Sequence, residues 1–221
     1  MPHTKLAALY EIAWNSVKED PQVMAEVSRA RTLTPMSVSS IDFIREYAWV
    51  VFNSAMKMKI IRRVWPNLER AFKNWDYKAI IQNVSSVWDE ATRVFNNSKK
   101  VNAVIYTARL VEEQGWKTVE ATIKNAVIKS KNNNLYPSKQ FFVFIHQLPW
   151  MGATNSRYLA KNLGFDLAKD DRHLRRIAQQ YGYAPNPEGV QRLVEDISIH
   201  VKERISVIET VLWNACEKKV I

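Results

Sequence analysis

Apolar residues recur three and four positions apart along most of this chain. Phe43, Ile44, Tyr47, Ala48 and Val51 make one such row, and Ile60, Ile61, Val64, Leu68 and Phe72 make the next. That spacing returns to one face of a helix, whereas a half-buried strand alternates every second residue. Following the period from polar starts to Gly or Pro stops predicts helices over 4–18, 40–55, 57–74, 77–95, 98–114, 116–128, 138–146, 153–163, 171–181, 187–200 and 204–217. "TLTPMS", the polar loop "KSKNNNLYPS" around 129–138 and "YGYAPNPEG" punctuate them. With five glycines and few alternating β-branched runs, the chain reads as all-α, and no internal repeat is visible. The expected plan is two helical lobes, with the N-terminal segment returning to pack against the C-terminal helices.

The composition narrows this. At 221 residues, 47% hydrophobic with eight Trp, the chain can bury a sizeable core. No apolar run reaches the roughly 18 residues that a membrane helix needs. The opening "MPHTKLAALYEIAWNSVKED" carries acidic residues and no cleavage pattern, unlike a secretory signal. The single cysteine, Cys216, rules out an intrachain disulfide, a four-Cys zinc site and an iron–sulfur cluster, and it fits a reducing cytoplasm. Its apolar context "VLWNACEKK" suits a small core hydrophobe. The net charge of +10 favours a polyanionic partner, nucleic acid before an anionic membrane surface. The basic residues are spread along the chain, with clusters at "KMKIIRR", "SKK", "KSK" and "RHLRR" and no disordered basic tail, which implies a folded basic face. His3, His146 and His200 are scattered, without the spacing of a metal site.

One stretch carries more chemistry than the rest: "LPWMGATNSRYL". The helix before it offers Phe141, Phe142, Phe144 and Ile145 to a core. Pro149 lacks a backbone donor and ends that helix. Gly152 permits a left-handed or close-approach backbone, and a new helix opens near Ala153 and Thr154. Its free N–H groups and the positive end of its dipole make a phosphate site.

This stretch resembles the helix-hairpin-helix motif, usually Leu-Pro-Gly-x-Gly followed by a helix. In the helix-hairpin-helix DNA glycosylases, the endonuclease III and 8-oxoguanine glycosylase (HhH-GPD) superfamily, an aspartate follows slightly under twenty residues later in the pattern Asp-x-His-hydrophobic-x-Arg. Here "DDRHLRRIA" supplies Asp171, His173, Leu174 and Arg176, with Asp171 17 residues after Thr154. "FIREYAWVVFNSAMKMKIIRRVWPNLERAF", "NNSKKVNAVIYTARLVEE" and "VIETVLWNACEKK" are similar to other helices of that superfamily, so the resemblance covers about residues 40–217. It implies an all-α, two-lobed glycosylase-like domain over 1–221, with the hairpin at 138–163 and the Asp-bearing helix at 170–181. Trp150 stands where the first hairpin glycine is usual. Thr154 stands near the place of the lysine with which bifunctional members form a Schiff base, and no glutamine occurs at Asn53–Lys57.

What the resemblance implies is a DNA-binding enzyme acting on an extruded base. The leading reaction is monofunctional hydrolysis of the N-glycosidic bond. The runner-up is transfer chemistry like that of the phage α-glutamyl/putrescinyl thymine pyrophosphorylases, which would replace a pyrophosphate on 5-hydroxymethyluracil with an amine or amino acid. The third is a DNA-binding module without catalysis. The expected partner is double-stranded DNA, with no membrane, no iron–sulfur cluster, no cofactor and no metal. The expected state is a monomer in the cytoplasm of a bacterium or a phage-infected host.

The expected catalytic residue is Asp171, which would stabilise oxocarbenium character at C1′ and orient a water. The alternative is that Asp170 or Asp171 is only an N-cap. Glu46, on the otherwise apolar "FIREYAWVV", is a second candidate facing a base pocket; otherwise it lies on a solvated face with Arg45 or Asp42. Trp150 and Met151 would contact or wedge the duplex, or plug a gap between helices. Gly152, Ala153, Thr154 and Asn155 would hold phosphate, joined by Lys57 and by Arg172 and His173 on a basic face with Arg175 and Arg176. His173 is alternatively a packing or capping residue, and His146 with Gln147 more readily serve core or cap. Asn53 and Ser54, beside Lys57, would fill the gap left by an extruded base or cap a loop. Trp49 is the expected stacking ring of the base pocket, although Trp49, Trp65, Trp75, Trp88, Trp116 and Trp213 are mostly core candidates.

Overall fold

A computed structural model describes residues 2–129 and 135–221. Residues 130–134 of the expected polar loop, and the side chains of residues 2–4 with His3 among them, lie outside that description. Among the described residues the fold is helical, with one two-stranded ladder. No described helix is long and apolar enough to cross a membrane.

The chain divides into two interleaved compact units. The first comprises Met1–Thr34, Ile128–Tyr136 and Ala160–Ile221. It holds α1 (Pro2–Val17), α2 (Pro21–Thr32), α11 (Arg172–Gln180), α12 (Pro187–Val201) and α13 (Ile205–Glu217). Its core joins Leu9, Val17, Val23, Leu174, Leu193 and Ile208, so the N-terminal helices do pack against the C-terminal ones. The helix α2 was not expected from the sequence. Asp20 caps it, accepting from the backbone N–H of Gln22 (3.1 Å) and Val23 (3.3 Å), and Pro21 sits in its first turn. Only Val23 and Val27 on it are buried, too sparse a row to stand out as a period.

The second unit comprises Pro35–Val127 and Pro137–Leu159. It holds α3 (Ser40–Asn53), α4 (Met58–Ala71), α5 (Tyr77–Gln82), α6 (Val84–Val94), α7 (Ser98–Gln114), α8 (Trp116–Asn125), α9 (Lys139–Ile145) and the start of α10 (Ala153–Asn162). A capping box opens α3: Ser39 Oγ accepts from Asp42 N (3.1 Å), and the Asp42 carboxylate accepts from Ser39 N (3.2 Å). The core is aromatic. Trp65 and Trp75 stack at 4.8 Å, Phe72 stacks on Trp75 at 5.3 Å, and Phe52 packs between Phe72 and Phe95. Burial of each such ring contributes about 1.5–3 kcal/mol.

Three boundaries differ from the periodic reading. The helix expected over 77–95 breaks at Asn83 into α5 and α6. The helix expected over 57–74 ends at Ala71, and Asn74 turns left-handed (φ 54°). The helix expected over 116–128 ends at Asn125, after which β1 (Val127–Lys129) pairs with β2 (Leu135–Pro137). Three-residue strands are too short for alternation to register.

Candidate functional site

The hairpin between α9 and α10 is built from the core outward. Phe141, Phe144 and Ile145 of α9 are buried, and Leu148 continues that anchor. The buried Tyr47 hydroxyl of α3 donates to Pro149 O (2.8 Å), and burial raises the phenol's pKa. The turn's geometry corrects the sequence expectation. Trp150, not Gly152, is the left-handed residue, at φ 67°. A large side chain therefore occupies a backbone conformation that costs a non-glycine residue about 1–2 kcal/mol. Two contacts hold it there. Asn155 Nδ2 donates to Trp150 O (2.8 Å), and the Lys100 ammonium lies 5.3 Å from the Trp150 ring centre. Trp150→Gly is therefore expected to be more stable than Trp150→Ala by about 1 kcal/mol, since both lose the ring and only alanine keeps the strain. Comparative melting checks this, and the reverse order would show that the turn is not strained.

Gly152 has another use. A Cβ there would meet no atom within 4 Å, so nothing in the turn opposes a side chain. The glycine leaves open the approach to the first turn of α10 (Ala153–Asn162), whose leading N–H groups lack intrahelical acceptors as at any helix start. Gly152→Ala is expected to melt within about 1 kcal/mol of wild type, and a larger fall in melting temperature would show that the turn itself needs the glycine. Of the two readings of the hairpin tip, Met151, 4% exposed, fits the plug, while Trp150 remains 38% exposed.

The loop after α3 is tied to this tip. Lys100 of α7 is buried, and its ammonium donates to Phe52 O (3.0 Å) and Ser54 O (2.6 Å) at the carbonyl end of α3. Burial lowers its pKa. Asn155 Nδ2 also lies 3.4 Å from Ser54 Oγ. Ala55 is left-handed (φ 57°), and Ala55, Met56 and Lys57 are exposed. Asn53 donates to Trp49 O (2.9 Å), leaving its buried Oδ1 without a hydrogen-bond partner. Trp49 is half-buried. Its indole donates to the Tyr158 hydroxyl (2.7 Å) and its ring meets Trp65 edge-on at 4.8 Å, placing it in the aromatic core. Glu46 is buried and paired with Arg45 Nε at 3.2 Å, so it does not belong to a solvated face.

Asp171 lies in the first unit. The chain reaches it from α10 through Gly164 (φ 92°), where a Cβ would come within 2.6 Å of the Thr34 backbone. Asp166, buried below, accepts from Ser206 N (2.9 Å). Asp171 is the N-cap of α11: Oδ1 accepts from His173 N (3.0 Å) and Leu174 N (3.2 Å). Its other oxygen, Oδ2, accepts from the Trp213 indole at 2.7 Å, with the Lys169 ammonium 3.6 Å away and above the Trp213 ring. A cap needs only one oxygen, so the second is held by groups that the helix start does not require. Farther along α13, Glu209 is 1% exposed and pairs with Lys161, which also donates to Thr210 Oγ1 (2.9 Å). Burial pushes the Glu209 carboxyl up, opposed by Lys161.

The expected basic face on α11 is largely committed. Arg175 forms a two-pronged pair with the buried Asp170 (2.7 and 2.5 Å), Arg176 reaches Ile221 O (3.3 Å), and His173 Nε2 lies 3.1 Å from Glu217. Arg172 is exposed. Sequence reasoning missed Trp213, Lys169 and Glu209 as neighbours of Asp171. For α13 a signal was present: Glu209, Trp213 and Glu217 recur every fourth residue, beside the polar row Ser206, Thr210 and Asn214.

This is the fold of the helical 8-oxoguanine DNA glycosylases. One solved structure that shares it is the Methanocaldococcus jannaschii 8-oxoguanine glycosylase/lyase in complex with 15mer DNA containing 8-oxoguanine; it has a TM-score of 0.66, 13% identity, and coverage of 98% of this chain and 99% of that one. Another is the 8-oxoguanine DNA glycosylase of the same organism, with a TM-score of 0.65, 11% identity, and coverage of 99% and 98%. No protein-family model and no curated protein matches the sequence.

Proposed function

We propose that this chain is a DNA-binding enzyme that removes an extruded base by hydrolysing its N-glycosidic bond, and that it works in the cytoplasm as a monomer. The observation that supports this best is Asp171: a carboxylate fixed by three donors, 17 residues beyond the hairpin threonine, on a fold shared with DNA glycosylases. In this reading the exposed amides of α10 hold a phosphate. As the bond from C1′ to the base breaks, positive charge grows on the sugar, and the Asp171 carboxylate offsets it. Water adds at C1′, the bonding pair leaves on the base nitrogen, and the proton lost from water balances the one that nitrogen takes up, giving a free base and an abasic site. Lys169, beside Asp171 and over Trp213, keeps the carboxylate's field local.

The test is incubation with duplexes carrying single modified bases, 8-oxoguanine first because the similar structures act on it. Released base, with strand nicking only after alkali, is the expected result. Because Thr154 has no amine, borohydride is expected to trap no covalent complex. A trapped complex would overturn the monofunctional reading, and loss of trapping in Lys169→Ala but not Lys57→Ala would locate the amine beside Asp171. A heavier nucleoside without an abasic site would replace hydrolysis by transfer on a modified thymine. Binding with neither product would leave a DNA-binding module.

A further inference from the structure

A cavity of about 520 Å³ opens between α6 and α7, within the second unit. On α6 it is lined by Val84, Trp88 and Asp89, which return to one face of the helix; on α7 it takes Asn102, Tyr106 and Arg109, with Ile105 below. At 100° per residue these α7 positions point away from Lys100, so the cavity lies on the opposite face of α7 from the contact with the hairpin. None of its residues takes part in the site described above. Trp88 and Tyr106 remain 39% and 50% exposed on its walls, while Ile105 is buried.

We propose that this groove is a stacking site for an unpaired nucleobase carried on its phosphate. Two aromatic rings, Trp88 and Tyr106, line it, and stacking of a base on an aromatic ring tolerates any sequence. The polar groups match what such a ligand presents. Asn102 offers a donor and an acceptor to a base edge, Asp89 accepts from an exocyclic amine, and Arg109 can fork onto phosphate oxygens. The volume lies in the range of small-molecule sites. An amphipathic partner helix fits less well. Along the exposed face of α7, Asn102 and Arg109 bracket Tyr106, so an apolar stripe would bury an amide and a guanidinium without partners. The net charge of +10 favours the anionic ligand.

The ligand could be a free nucleotide or an unpaired base of a strand, and photocrosslinking separates the two. The probes are 5-iodo-deoxyuridine monophosphate and a hexathymidylate carrying one 5-iodouracil, each irradiated with the full-length protein and followed by peptide mapping. Adducts on Trp88 or Tyr106 from both probes support the site and show that a free nucleotide suffices. Adducts there from the hexamer alone support it for a strand. Adducts only elsewhere, as on Trp150, or none, overturn it. Trp88→Ala and Tyr106→Ala, both at exposed positions, should each weaken binding of the crosslinking probe about tenfold. Wild-type binding by both variants would also overturn the proposal. Base release is a separate readout, so its absence would not count against this site.

Discussion

Under the proposed hydrolysis, Asp171→Asn is expected to slow single-turnover base release by about a hundred- to a thousand-fold, because an ionised group facing a cationic transition state would be replaced by a neutral one. DNA affinity should hold or rise, since a negative charge near phosphates is lost. The cap should survive, because asparagine's oxygen serves the His173 and Leu174 N–H groups as well as aspartate's. The second oxygen is the sensitive one. An amide nitrogen there cannot accept from the Trp213 indole, and that lost bond costs about 1–3 kcal/mol. Trp213→Phe is the matched control, removing the same hydrogen bond while leaving the charge. It should lose similar stability and keep most turnover. If both variants lose turnover equally, the Trp213 hydrogen bond and not the carboxylate's charge carries the effect, and the catalytic assignment to Asp171 falls. Asp170→Asn is no control, because it would strip the partner from Arg175 around a fully buried carboxylate.

The helical class and most of the helices were legible because the apolar periods are long. The hairpin was legible because Pro149 and Gly152 stand out in a chain with so few glycines. The roles within the hairpin were not. Sequence logic gave the unusual backbone to Gly152, yet Trp150 carries it, because Lys100 and Asn155, distant or offset in sequence, hold that residue in place. The hairpin spacing singled out Asp171, and its position as the N-cap of α11 matches the alternative that the sequence left open. Trp213 was not legible as its neighbour, since it meets Asp171 only once α13 has packed against α11, and Lys169, although two residues away in sequence, stands over the Trp213 ring only in that packing. Met151 shows the same limit in reverse: an apolar residue at a turn tip reads equally as wedge or plug, and burial decides for the plug.

The largest stability effect should come from Lys161→Met. Lys161 stands two turns after Thr154 on α10, and its side chain ends in the amine that Thr154 lacks. The structure gives that amine other partners, Glu209 and Thr210. Removing it leaves a carboxylate that is 1% exposed without its cation, at a cost of about 3–5 kcal/mol. For a chain of this length that corresponds to a fall in melting temperature of roughly 10 °C. The loss should depend on pH with a definite sign. Burial raises the folded-state pKa of Glu209 above its unfolded value, and losing Lys161 raises it further. The folded variant therefore binds a proton that the unfolded chain releases, so its stability is retained at low pH and lost as pH rises through the raised value. The gap to wild type should be narrower at about pH 5 than at about pH 8. Lys161→Met with Glu209→Leu should recover most of the stability, because an apolar pair of similar volume needs no desolvation of charge. Melting of the single and double variants at both pH values is the measurement. A single variant that melts like wild type would show that the pair is solvated, and Lys161 would then be free to serve as an amine.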